Sequence, residues 1–150
     1  MRVHRLEREQ VLAQPLQDVF AFFAQAGNLE RITPPWLGFE MLTPNPIGMG
    51  LGTQIEYRLH LHRVPIRWVS RIEVWDEGRC FVDRQLHGPY RLWHHRHEFA
   101  TVATGTLVRD QVDYALPLGP LGELAQRLFV RRDLRQIFDF RRDAVAALMA

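Results

Sequence analysis

Residues 90–114 read YRLWHHRHEFATVATGTLVRDQVDY, and the alternation in this stretch decides the fold. With a period of two, Trp93, His95, His97 and Phe99 fall on one face, and Leu92, His94, Arg96, Glu98 and Ala100 on the other. The pattern breaks at Ala103-Thr104 and resumes with Thr106, Val108, Asp110, Val112 and Tyr114. Taking Ala103 and Thr104 as the two loop residues makes a hairpin. Phe99 then faces Val108, His97 faces Asp110, His95 faces Val112 and Trp93 faces Tyr114. One face carries aromatic rings at both ends and an acid beside an imidazole between them. Greasy walls with a few convergent polar groups are the usual make-up of a small-molecule site.

Outward from the hairpin, the preceding fifty or so residues, from Phe39 on, are also strand-like. Phe81 to Leu86 is a short strand ending at the turn His87-Gly88-Pro89, and its parity puts Asp83 and Gln85 with the histidines. Pro65 to Asp76 alternates, with Ile66, Trp68, Ser70, Ile72 and Val74 inward. Thr53 to His62 does likewise, with Ile55, Tyr57, Leu59 and Leu61 on one face and His60 and His62 on the solvent face. Phe39 to Thr43 is a brief strand before the turn-rich PNPIGMGLG. Val3 to Leu12 reads as a first strand. Pro15 suits the first turn of a helix carrying Val19, Phe20, Phe22 and Phe23, and a second short helix over Asn28 to Ile32 is stopped by Pro34-Pro35.

Past Pro117 the period changes to helical. Leu121 to Leu148 holds no Pro and only Gly122 near its start. Leu124, Ala125, Leu128, Leu134, Ile137, Phe138, Val145 and Leu148 mark the side expected to be buried. The stripe slips across Arg131-Arg132. Asp133, Asp139 and Asp143 intersperse the arginines, which predicts a salt-bridged, solvated outer face. About twenty-eight residues make a helix roughly 40 Å long. The order is strand, two short helices, six antiparallel strands and a long helix: an α+β chain whose curved seven-stranded sheet wraps the helix and leaves a cavity between them.

That layout resembles the START/Bet v 1-like superfamily, the helix-grip proteins often labelled polyketide cyclase and lipid transport. Locally, Asp83-x-Gln85-x-x-Gly88-Pro89, Trp93-x-His95-x-His97-x-Phe99, Thr106-x-x-x-Asp110, Tyr114-x-x-Pro117-x-Gly119 and Thr33-Pro34-Pro35-Trp36 are similar to a bacterial ligand-binding subgroup of it. The resemblance spans the whole chain and implies one domain over residues 1–150, with an inner cavity for hydrophobic molecules. It fixes no single activity.

Composition narrows the partners. All nineteen basic residues are Arg, and the formal net charge of +2 shows no basic stripe of the kind nucleic acid requires. The charged start MRVHRLEREQ and the lack of an apolar run long enough to span a bilayer predict a cytoplasmic protein without stable membrane insertion. A homodimer is compatible with the sequence. Cys80 is the lone cysteine, which excludes an internal disulfide and predicts a small buried hydrophobe.

The candidate polar group is Asp83, Gln85, His95, His97 and Asp110. Burying that many polar side chains costs several kcal/mol unless they bond one another or a ligand. His97 with Asp110 reads either as a cross-strand pair fixing register, worth roughly 0.2–1 kcal/mol, or as an acid–base pair. In the second reading His95 or His97 acts on a substrate, and Asp83 or Asp110 sets its tautomer. Tyr57, Trp68, Trp93 and Tyr114 supply rings for core packing or for stacking on an aromatic ligand. Phe138 joins them from the helix, and Trp36 is a candidate lid at the cavity mouth. His95-x-His97 with Asp110 has a metal-ligand spacing, but a strand His-x-His without Cys or an HExxH helix is a weak signal, and neither metal nor cofactor is expected. GMGLG is followed by a strand, so it reads as a turn and not a phosphate loop. Ser70 has no His–acid partner fixed by sequence. Three functions follow: carriage of a small hydrophobic molecule (aromatic, polyketide-like or isoprenoid), cyclase or dehydratase chemistry, or an interaction module with a vestigial cavity.

Overall fold

The computed structural model describes residues 1–44 and 47–150; two positions of the expected PNPIGMGLG turn, Asn45 and Pro46, lie outside the described residues. Strand β1 (His4–Leu12) leads into helix α1 (Leu16–Phe23) and two 3-10 segments, Ala26–Ile32 and Pro35–Leu37. Strands β2 (Glu40–Met41), β3 (Gln54–Leu61), β4 (Val64–Asp76), β5 (Cys80–His87), β6 (Leu92–Val102) and β7 (Gly105–Ala115) follow. The chain ends in α2 (Gly119–Ala125), a π-helical turn (Gln126–Val130) and α3 (Arg131–Leu148). The sheet is antiparallel in the order β1-β7-β6-β5-β4-β3-β2, so the first strand closes against the last. This is the helix-grip architecture. α3 packs along the concave face with Leu134, Phe138 and Val145 buried.

The β6–β7 hairpin has the register expected from its alternation. Trp93 opposes Tyr114, His95 opposes Val112, His97 opposes Asp110 and Phe99 opposes Val108, around a turn at Ala103-Thr104. Gly105 is required there. Its φ is +145°, and a Cβ at this position would run into the Leu12 carbonyl, where β1 hands over to α1. The buried Thr106 hydroxyl donates to the Gln14 carbonyl at 2.7 Å and fixes the same junction. α1 is thereby placed over one end of the sheet, where Val19, Phe20 and Phe23 meet Ile72, Phe81, Phe99 and Val108.

Three expectations are corrected. Val74 faces outward and Trp75 packs inward on Phe20, because a register shift between Ile72 and Val74 against β5 inserts a bulge and flips the parity beyond it. The C-terminal helix is not one regular rod. The π turn lets the buried stripe pass from Gly122 and Gln126 to Leu134 and Phe138, leaving Leu124, Leu128 and Leu148 exposed. Gln126 in that turn is buried and donates to the Tyr114 hydroxyl at 2.8 Å. Finally, His62 sits in a two-residue turn with Arg63, both at positive φ. It reaches Asp133 of α3 at 2.7 Å instead of lying on the convex face.

Cys80 is buried and free, and burial raises its thiol pKa. No helix of the described residues is long and apolar enough to cross a membrane.

Candidate functional site

A cavity of about 180 Å³ lies between the concave face, the first 3-10 segment and α3. Its apolar walls include Phe22, Leu37, Phe39, Ile55, Leu59 and Ile137. Strands β3, β4 and β6 contribute Tyr57, Trp68 and Trp93, joined by Tyr90, because each strand sends alternate residues inward. The rings interlock: Tyr57 stacks on Trp68 at 5.9 Å, and Trp68 meets Trp93 edge-on at 5.2 Å. Trp68 Nε1 donates to the Ser70 hydroxyl at 2.9 Å, so this serine's hydrogen bond goes to an indole and not to a histidine. Burial raises the pKa of the Tyr57 and Tyr90 phenols, which remain protonated donors.

At one side of the cavity Asp83, His95, His97 and Asp110 form a closed polar quartet. Asp83 stands opposite His95 in the β5–β6 register, and Asp110 opposite His97. The short contacts nevertheless run diagonally. His97 Nε2 lies 2.7 Å from Asp83 Oδ2, and His95 Nε2 lies 2.8 Å from Asp110 Oδ1. The directly opposed pairs are looser, with His97 Nδ1 3.5 Å from Asp110 and His95 Nδ1 3.8 Å from Asp83. The expected His97–Asp110 hydrogen bond is thus replaced by His97–Asp83. The two imidazoles stack at 3.7 Å between the carboxylates, so a diagonal reach is the one that brings each Nε2 to an oxygen.

The charges follow from this packing. Burial pushes Asp83 upward, but the His97 hydrogen bond and the neighbouring His95, His97 and Arg141 outweigh it and hold the carboxyl below its usual range. Burial acts the same way on Asp110, where the Arg141 guanidinium and the His95 bond prevail and keep it ionised. His97 goes the other way. Burial and the stacked His95 depress it to about 4, against the pull of Asp83. An ionised carboxylate only accepts, so each Nε2 carries the hydrogen it donates. His97 Nδ1 is left buried with no hydrogen-bond partner among the described residues.

Arg141 is the residue that sequence reasoning missed. Asp139 and Asp143 flank it, a pattern that predicts a solvated face. The signal was present in the helical stripe Leu134–Phe138–Arg141–Val145, which points at the sheet. Its side chain is 12% exposed, lines the cavity and lies over the rings of Phe23 and Phe138. Its nearest carboxylate contact is Asp110 at 3.7 Å, and it donates no hydrogen bond among the described residues.

Of the residues singled out from the sequence, Tyr57, Trp68, Asp83, Trp93, His95, His97 and Phe138 line the cavity. Asp110 stands behind His95. Gln85 does not reach the cavity. Its amide bonds both backbone groups of Tyr90 (2.6 and 3.1 Å) and closes the β5–β6 turn. Tyr114 is buried behind Trp93 with its hydroxyl on Gln126. Trp36 is largely exposed and leans edge-on against Phe140, away from the lining. Among the described residues, Asp83, His95 and His97 could converge on a metal ion, with Asp83 where the sequence spacing offered Asp110.

The fold recurs among solved structures. The Zhui aromatase/cyclase from a Streptomyces species is 16% identical with a TM-score of 0.77, covering 99% of this chain and 94% of that one. The major latex-like protein 151 of Panax ginseng is 10% identical with a TM-score of 0.71, over 99% and 98%. The di-domain aromatase/cyclase StfQ of the steffimycin pathway is 16% identical with a TM-score of 0.73; 98% of this chain overlies 50% of it. No curated protein matches by sequence. Residues 12–141 match the family described as polyketide cyclase/dehydrase and lipid transport, and the chain belongs to that family.

Proposed function

We propose that the chain binds a small hydrophobic molecule of one or two rings bearing a hydroxyl or carbonyl group. The observation that carries this reading is the cavity itself: aromatic walls interrupted by Asp83, His97 and an Arg141 whose donors are unspent. Size sets the ligand. An apolar cavity of about 150 Å³ accommodates benzene, so about 180 Å³ suits a compact ring system and not a long chain. A ligand hydroxyl would meet the Asp83 carboxylate, and a ligand carbonyl the guanidinium. Binding is favoured over catalysis because both imidazole Nε2 atoms are engaged by carboxylates and His97 Nδ1 is sealed from solvent. Acid–base chemistry at His97 would need that bond to open as substrate enters.

The test is a matched pair of probes, 1-naphthol and naphthalene, titrated against the parent and an Asp83→Val, His97→Phe variant. Both partners are removed together so that neither is stranded. Naphthol affinity is expected to fall by about 0.5–1.5 kcal/mol, with naphthalene unchanged. An equal loss for both probes would mean that the pocket had collapsed, and no binding of either by the parent would sink the reading.

A further inference from the structure

The π turn has a consequence on the outside of the molecule. By rotating the helix phase it leaves Leu121, Leu124, Leu128 and Phe129 outward, next to Leu118 just before the helix, and each is more than half exposed. Leu121, Leu124 and Leu128 follow helical spacing, and the same strip continues into Arg131 and Arg135, with Arg127 and Arg132 beside it. The opposite face, Gly122, Gln126, Leu134 and Phe138, is buried. Nearby acids are already engaged. Glu123 is held by His4 at 3.0 Å and Arg2 at 3.7 Å, and Asp133 by His62 at 2.7 Å. Arg127, Arg131, Arg132 and Arg135 therefore have no carboxylate within ion-pair distance among the described residues.

We propose that residues 118–135 form a peripheral docking surface for a bilayer carrying anionic lipids. An exposed apolar strip continuous with unneutralised arginines is the make-up of an interfacial helix. Its leucines enter the acyl boundary while its guanidinium groups meet lipid phosphates. The leucines project from a helical corner and do not line a groove, which suits a deformable surface better than a rigid protein pocket. A second copy of the chain is the poorer occupant, since the strip offers the free arginines no unspent carboxylate: Glu123 is held by His4 and Arg2, and Asp133 by His62. The proposal does not depend on the cavity being a ligand site.

Flotation of the full chain with vesicles tests it, using phosphatidylcholine with and without phosphatidylglycerol at low and high salt. Association is expected with the anionic vesicles and is weakened by salt. Leu121→Ser with Leu128→Ser, and separately Arg131→Gln with Arg132→Gln, are expected to weaken it about 10-fold or more. Melting temperature stays near the parent value, since these side chains are exposed. Equal binding to neutral vesicles, no binding at low salt, or indifference to the leucine changes would each overturn the proposal. So would equal affinity for soluble polyglutamate, or a dimer dispersed by the same leucine changes.

Discussion

The concave face of the sheet has two ends built from the same strands, and they are packed for different purposes. Under α1, Phe20, Phe99, Val108, Ile72 and Phe81 interlock, and Phe20 touches three other rings edge-on; Ile72, Phe81 and Phe23 form the border with the cavity, where Arg141 lies over Phe23. Under α3, Trp68, Trp93, Leu134 and Phe138 border a void beside a polar quartet, with Val112 and Tyr114 packed behind them. β6 crosses both: Phe99 belongs to the dry end, His95 and Trp93 to the other, and His97 stacks on Phe81 at 4.1 Å where they meet. Close packing gives the dry end its stability. The second end gives up dispersion contacts and keeps ionisable groups where water is scarce, which is costly unless a ligand or a function uses them.

The largest effect that distinguishes the two ends is truncation at the dry one. Phe20→Ala is expected to cost about 3–5 kcal/mol in chemical denaturation and to leave naphthol affinity intact. Phe138→Ala is expected to cost less, about 2–3 kcal/mol, because its ring already borders open space, and to change the affinity. Identical behaviour of the two variants would erase the distinction.

Acid comes next. His97 stays neutral in the fold down to about pH 4, whereas in the unfolded chain an imidazole gains its proton below 6.5. Unfolding therefore takes up a proton between those values. Stability is full above pH 6.5 and falls as pH drops toward 4, by on the order of 3 kcal/mol. The depressed carboxyls of Asp83 and Asp110 extend the loss below their ordinary value of 3.8. Urea titrations across pH 4–7 test this, and an Asp83→Asn, His97→Gln variant should flatten the slope between 6.5 and 4. Persistence of the full slope in that variant would place the proton elsewhere. The smallest effect is expected at Trp36, where replacement by Ala should shift stability by less than about 0.5 kcal/mol. A loss above 2 kcal/mol would show that its contact with Phe140 anchors the 3-10 segment.

Strand pairing was legible because a period of two and a two-residue break leave one workable register for residues 90–114. Parity also put Asp83, His95 and His97 on the face that lines the cavity, whereas Gln85 of the same set closes the β5–β6 turn. Who bonds whom was not legible, since register fixes Cβ positions while the diagonal His97–Asp83 contact is a rotamer choice made by ring stacking. Val74 misled because a bulge leaves no mark in alternation until the partner strand is known. Arg141 was hidden by its charged neighbours, although its place on the Leu134–Phe138 stripe was readable. Leu124 and Leu128 were misread because helical spacing assumes one uninterrupted period, and the π turn breaks it.

The pairing of β1 with β7 has a kinetic meaning. Leu12 pairs with Thr106 and His4 with Tyr114, so about a hundred residues separate this strand from its sheet neighbour. Loop-closure entropy makes that pairing roughly 3 kcal/mol harder to nucleate than the β6–β7 hairpin. The hairpins β3–β4, β4–β5, β5–β6 and β6–β7 are all local, so β1 is expected to dock last. Pulse-labelled hydrogen exchange during refolding would show β6 and β7 amides protected before those of β1, and the reverse order would contradict this. Until β1 arrives, Arg8 cannot reach Asp139 and Gln10 cannot reach the Arg142 carbonyl, so α3 lacks two of its moorings. The cavity then takes its final shape only after β1 docks, so a ligand that recognises the finished cavity slows unfolding and leaves the folding rate unchanged.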